Sequence, residues 1–177
     1  LGKPTIINNV ETLAAVVVIL RDGAPAYRQN GTEKSPGTKL FSVSGSIVKP
    51  GTYEVPLGYP LMELINKDCG GLKPGRSLKA VIPGGSSAPV LTAQEAQSAT
   101  MDYECMAGLG TMLGSGAVIV IDDSHCMVDL LNVLTHFYCH ESCGQCTPCR
   151  EGTGWLHRMT QTIISGKGRL QDIELLE

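Results

Sequence analysis

Leu13, Val16, Val17 and Leu20 recur at helical spacing, which predicts a helix through about Arg21 with those four as its buried stripe. Residues 4–7 read as a short extended lead-in, and Asn8 or Asn9 as the N-cap. With Asn8 in that role Glu11 stands at N3, a relative of the capping box. Residues 22–37, rich in Gly, Pro, Asn and Ser, predict a linker and domain boundary. The pattern then changes. Leu40, Val43 and Ile47 among small polar residues predict a strand over 39–48, Lys49-Pro-Gly51 a turn, and 52–55 the returning arm of a hairpin. Leu61, Leu64 and Ile65 mark a short helix stopped by Gly70 and Gly71, and 78–82 and 117–121 read as further strands. Hairpin, helix and more strand in so short a stretch predict a small mixed sheet clasping one helix, a β-grasp arrangement.

Helical spacing returns after residue 123. Asp123 or Ser124 is the expected cap of a helix over 127–140, with Met127, Leu130, Leu131, Leu134, Phe137 and Tyr138 on one face. Trp155, Leu156, Met159 and Ile163 stripe a second helix, ended by Gly166 or Gly168, and residues 170–177 start a third. The class is therefore α+β, with a helical bundle after the sheet.

The loop between the first two of these helices carries the chemistry. His140-Glu-Ser-Cys143-Gly-Gln-Cys146-Thr-Pro-Cys149 repeats cysteine at CxxCxxC spacing. Thiolates are soft ligands, and two intervening residues let the backbone curl so that successive sulfurs face one centre. Three sulfurs on one short loop can hold three corners of a cubane iron–sulfur cluster, with Gly144 relaxing the turn and Pro148 stiffening it. Other uses compete. Disulfides would leave one of the three cysteines unpaired. Zinc accepts His140, Cys143, Cys146 and Cys149 as a Cys3His set, but one continuous loop must strain to surround a tetrahedral ion. Free thiols in a packed loop are the plain structural alternative. The spacing favours the iron–sulfur reading.

Other residues are ambiguous at this stage. Arg150, His157 and Arg158 suit either the tuning of a negatively charged cluster or solvated surface. His136 reads as a surface or core histidine, Cys139 as structural, and Cys69, Cys105 and Cys126 as buried. Asn8, Asn9 and Thr12 serve a helix start, although the same groups at a helix N-terminus suit a phosphate or flavin. Pro83-Gly-Gly-Ser-Ser87 and Gly108–Gly116 contain neither a GxGxxG in the right order nor a Walker lysine, so tight turns account for both.

Composition removes several function classes. A net charge of −3 with 5% aromatic residues argues against nucleic acid and anionic lipid. The longest apolar runs, 13–20 and 117–121, fall far below the ~20 residues that span a bilayer. Seven cysteines without a secretory pattern point to a reducing compartment. The chain begins without methionine and ends in an uncapped amphipathic pattern, so it is expected to be a piece of a longer subunit.

Glu141-Ser-Cys-Gly-Gln-Cys-Thr-Pro-Cys-Arg-Glu-Gly152 resembles the cluster motif of the flavoprotein subunit of respiratory NADH:quinone oxidoreductase (complex I). Pro4-Thr-Ile-Ile-Asn-Asn-Val-Glu-Thr-Leu13 is similar to the motif ending that family's flavin domain, and Val81-Ile-Pro-Gly-Gly-Ser-Ser87 to its middle domain. The resemblance implies that residues 1–30 end a Rossmann-like domain holding FMN and receiving NADH, 31–123 form a ubiquitin-like β-grasp (SLBB) domain, and 124–177 form the helical cluster domain. It carries Asn8, Asn9 and Thr12 onto flavin-contacting positions. Cys143, Cys146 and Cys149 become ligands of a 4Fe-4S cluster that takes electrons singly from reduced flavin. Implied partners are a thioredoxin-like 2Fe-2S subunit and a large multi-cluster subunit, in a peripheral arm on the cytoplasmic face of the inner membrane, or the matrix side in mitochondria.

The sequence departs from the family in two ways. The family's glycine-rich NADH and FMN loop lies upstream of Leu1, and its fourth cluster cysteine lies beyond Glu177. Residues 150–177 contain no cysteine. Weak NADH binding and poor cluster occupancy are expected of the segment alone, unless Cys139 or His140 substitutes as ligand. The diaphorase subunit of an NAD-linked hydrogenase or formate dehydrogenase shares the same motifs. A zinc-stabilised helical domain joined to a ligand-binding β-grasp, with no redox role, is the alternative of a different class.

Overall fold

The computed structural model describes residues 2–176; Leu1 and Glu177, the latter closing the predicted 170–177 helix, lie outside them. The chain resolves into two compact units, Leu1–Asp122 and Asp123–Glu177.

The first unit is built on a five-stranded mixed sheet ordered β2-β1-β5-β3-β4. β1 (Thr38–Gly45) and β2 (Gly51–Pro56) form the expected antiparallel hairpin, with Thr38 opposite Pro56 and Val43 opposite Gly51. β5 (Ala117–Asp122) lies parallel to β1 and antiparallel to β3 (Leu78–Ile82), which pairs in turn with β4 (Leu91–Thr92). The α+β class and the β-grasp layout hold. The apolar residues of β1 do not all share one face. Alternation along the strand sends Phe41 (0% exposed) and Val43 (2%) into the core, which leaves Leu40 on the outer face at 52%.

α3 (Leu61–Glu63) runs directly into a π-helical turn, Leu64–Asp68. Leu61, Leu64 and Ile65 are fully buried and meet Phe41, Val81, Val118 and Val120 in one cluster. Two further short helices, α4 (Ala93–Ser98) and α5 (Tyr103–Gly108), have no counterpart in the hydrophobic pattern. Both carry local signals. Thr92 and Glu95 form a capping box, and the Asp102 carboxylate accepts the Cys105 amide at 2.8 Å. The two glycine clusters are tight turns packed on each other: a Cβ on Gly114 would lie 2.1 Å from Gly84 O, and one on Gly84 2.2 Å from Met112 O.

α1 (Val10–Asp22) and α2 (Ala24–Tyr27) precede the sheet, and α2 folds part of what reads as linker. The predicted stripe of α1 is wrong. Leu13, Val16, Val17 and Leu20 are 41–81% exposed and no residue of the helix is buried. The half-buried side is instead Glu11, Ala15 and Ile19, each four residues apart. Residues 13–20 are apolar almost all round, so periodicity cannot select a face.

The second unit pairs α6 (Met127–Glu141) with α7 (Thr147–Ile164), followed by α8 (Gln171–Glu174). Its seam is polar rather than aromatic. Thr135 and Thr160 are buried with their hydroxyls 3.3 Å apart, and Thr160 Oγ1 donates to Asn132 Oδ1 at 3.1 Å. Leu131, Phe137 and Trp155, expected inside, are 42%, 50% and 63% exposed. The α6 N-cap is Cys126, with no side-chain cap bond, in place of Asp123 or Ser124. The third helix shrinks to one turn that turns Asp172 inward, where it accepts the Arg169 amide at 2.8 Å and guanidinium at 2.7 Å.

Candidate metal centre

α6 delivers the chain to Ser142, whose extended backbone leaves the helix, and Gly144 at φ 74° turns the loop back. A left-handed φ is accessible there because glycine lacks a Cβ. Cys146 is the N-cap of α7, and Cys149 falls in its first turn, beside a Pro148 whose missing N–H costs nothing at that place. Two of the three candidate ligands therefore sit at the positive end of a helix dipole, which favours the negative charge of a metal-bound thiolate.

Arg150 braces the loop from its exposed side. Its Nη1 donates to Gly144 O at 2.8 Å and Gln145 O at 3.3 Å, Nη2 to Thr147 Oγ1 at 3.4 Å, and Nε to Glu151 Oε1 at 3.0 Å. Gly144 N donates to Ser142 Oγ at 3.2 Å, and that hydroxyl lies 3.4 Å from Cys149 Sγ. Cys143, Cys146 and Cys149 are exposed free thiols. Among the described residues no three His, Cys, Asp or Glu side chains converge on one point. The fit is thus one of donor chemistry: three unpaired soft donors on one loop match three corners of a 4Fe-4S cluster, and the fourth is not among them.

The residues suggested as substitutes point elsewhere. Cys139 Sγ lies 3.7 Å from where a Cβ on Gly154 would sit, so it packs into the α6–α7 seam. His140 Nδ1 pairs with Glu141 Oε1 at 3.0 Å in solvent. Of the cysteines expected to be buried, Cys69 is, Cys105 is half-buried, and Cys126 is exposed. Burial pushes the Cys69 thiol pKa up.

The second group of candidates surrounds the start of α1. Asn9 is the N-cap and its Oδ1 accepts the Glu11 amide at 2.8 Å, so the cap falls one residue later than the capping-box reading requires. Asn9 and Thr12 line one cavity of about 510 Å³, together with Glu11, Lys39, Tyr103 and Ser115; Asn8 is not among its lining residues. Sequence reasoning missed Glu11, Lys39 and Tyr103. Glu11 reads locally as a cap residue, and nothing near it announces a partner on a strand.

Comparison with known protein families finds two matching regions, neither of which includes the start of α1. Residues 129–177 match the NADH-ubiquinone oxidoreductase-F iron-sulfur binding region, and 39–121 match the SLBB domain. Over 99% of its length the chain is 50% identical to the second NADH-quinone oxidoreductase F-subunit of Rhizobium meliloti (strain 1021), covering 42% of that protein. It is 47% identical over 99% of its length to the NADH-quinone oxidoreductase F-subunit of Mycobacterium bovis (strain ATCC BAA-935 / AF2122/97), covering 39%. The fold superposes on a chain of the H2-reduced NAD+-reducing [NiFe]-hydrogenase with TM-score 0.85 and 36% identity, over 99% of this chain and 29% of that one. The chain thus spans about two fifths of the length of these F-subunits, and over nearly its whole own length it is similar to that part of the NADH-quinone oxidoreductase F-subunits.

Proposed function

We propose that this segment is the electron-transfer portion of an NADH-oxidising, FMN-containing subunit of NADH:quinone oxidoreductase. The observation that carries the reading is the three-thiol loop at the N-terminus of α7, inside the region that matches the family's iron–sulfur binding model. When bound, FMN would supply two-electron hydride chemistry and a 4Fe-4S cluster one-electron transfer. Cys143, Cys146 and Cys149 would ligate three irons, the α7 N-terminus would favour the added negative charge, and Arg150 would keep the loop in shape. Asn8, Asn9 and Thr12 would meet the flavin.

A fourth ligand, the NADH loop, a thioredoxin-like 2Fe-2S partner and a large multi-cluster partner complete the proposal for the whole protein. Among the described residues no helix is long and apolar enough to cross a membrane, which suits a peripheral position on the cytoplasmic or matrix face. The hydrogenase likeness supports a second reading, the diaphorase of an NAD-linked hydrogenase. The F-subunit relatives, at 50% and 47% identity against 36%, favour the first.

Cys146→Ser in the full-length subunit tests the role of the loop. Iron content and the cluster's electron paramagnetic resonance signal should fall, NADH should still reduce flavin, and electron delivery to quinone should drop at least tenfold. Unchanged onward transfer would sink the proposal. Stoichiometric zinc without iron or acid-labile sulfide in anaerobically purified protein would favour the non-redox module instead.

A further inference from the structure

Glu11 sits between Asn9 and Thr12, and its carboxylate reaches the sheet. Oε1 accepts the Leu40 amide at 3.0 Å and Oε2 accepts Lys39 Nζ at 2.5 Å. The Lys39 side chain is 10% exposed, so its charge is largely withdrawn from water and Glu11 is its anion. Burial raises the Glu11 pKa, and the bonds from Lys39 and Leu40 more than offset this, holding the carboxyl below its usual range. The backbone of the same residue is tied on the other side, where its amide donates to Asn9 Oδ1 at 2.8 Å.

Apolar packing does not fix this turn. No residue of α1 is buried, and its inward side offers only the half-buried Ala15 and Ile19 beyond Glu11. The polar tie to β1 is the specific constraint on the first turn. It borders the cavity of about 510 Å³ that Asn9 and Thr12 line, and Lys39 lines the same cavity.

We propose that Glu11 and Lys39 form a clasp by which the β-grasp sheet orients Asn9 and Thr12 toward bound flavin. Glu11 and Lys39 are positioning residues here; the ones meeting flavin are Asn9 and Thr12. The clasp rests on the flavin reading above and adds to it that the middle domain sets the geometry of the flavin site.

The test uses full-length holo subunit carrying Glu11→Gln, Lys39→Met, both together, or Lys39→Arg. Glu11→Gln keeps the shape and one acceptor oxygen while removing the charge. With it, the FMN dissociation constant should rise about tenfold. The flavin midpoint potential and visible circular dichroism should shift, with the cluster's resonance signal unchanged. Lys39→Met should match it, the double variant should be no worse than either single one, and Lys39→Arg should stay near wild type. Wild-type flavin affinity, potential and dichroism in Glu11→Gln would overturn the clasp. So would equal behaviour of Lys39→Met and Lys39→Arg, which covers the case in which Glu11→Gln does not fold. A wild-type subunit that binds no flavin would overturn the functional reading itself, and is told apart by the wild-type control.

Discussion

The two units keep themselves folded by different means. In the sheet unit, Phe41, Leu61, Leu64, Ile65, Val81 and Val118 are all fully buried in one apolar cluster. In the helical unit the buried side chains among the described residues are Thr135, Thr160 and Asp172, every one polar. Burial of apolar area is worth roughly 25 cal/mol per Å², whereas an intramolecular hydrogen bond nets only about 0.5–1.5 kcal/mol. The unit with the candidate ligands therefore has the weaker intrinsic stability. Metal ligation is a natural supplement, because binding energy at a site absent from the unfolded chain counts directly toward folding.

The largest effect expected from this contrast is in the sheet. Phe41→Ala should destabilise its unit by about 3–5 kcal/mol in urea unfolding, since it leaves a cavity at the centre of β1. Leu134→Ala in α6 removes a half-buried side chain and should cost well under half of that. Similar losses at both sites would break the contrast.

The seam between α6 and α7 gives a sharper version. Thr160→Val removes a hydroxyl that donates to Asn132 and lies against Thr135, and should cost about 0.5–1.5 kcal/mol. The Thr135→Val/Thr160→Val double variant should cost less than the sum of the two single ones, because the contact between the two hydroxyls is already lost in either. Amide hydrogen exchange of α6 and α7 measures both. Additive losses in the double variant would mean that the hydroxyls act independently and the seam is held by shape.

The same contrast explains what the sequence reveals. Strands β1, β2, β3 and β5 and the helix at Leu61 are legible because apolar residues there alternate or recur against a polar background. The three-cysteine loop is legible because its chemistry is written in spacing alone. The buried faces of α1 and α6 are not. α1 is apolar nearly all round, and α6 packs through Asn132, Thr135 and Cys139, residues that no hydrophobic pattern selects. The tie from Glu11 to Lys39 spans 28 residues, so no local rule reaches it. β4 and α4 are too short for periodicity, although the Thr92–Glu95 capping box marks where the helix begins.

The remaining predicted effect concerns charge, and it belongs to the sheet unit. Burial first, and then the Asp68 carboxylate, push Tyr59 up to about 12. Asp68 Oδ2 is itself buried and has no hydrogen-bond partner among the described residues, so a second negative charge beside it is disfavoured. An unfolded tyrosine titrates near 10. Between these values the folded state holds the proton that the unfolded state has lost, so stability falls as pH rises. The contribution is complete below about pH 10 and gone once pH has passed about 12. Tyr59→Phe should flatten the alkaline arm of the sheet unit's stability curve, and phenolate absorbance should show one fewer late-titrating tyrosine. Asp68→Asn should bring that tyrosine back toward its ordinary range. The helical unit should show neither change, because its shifted pair, Arg169 and Asp172, lowers a carboxylate and so acts at the acid end: its contribution is present above the unfolded aspartate range and lost as pH falls through the depressed value. An alkaline slope unchanged by Tyr59→Phe would mean that the phenol shares solvent with the unfolded chain and that the Asp68 pocket is open.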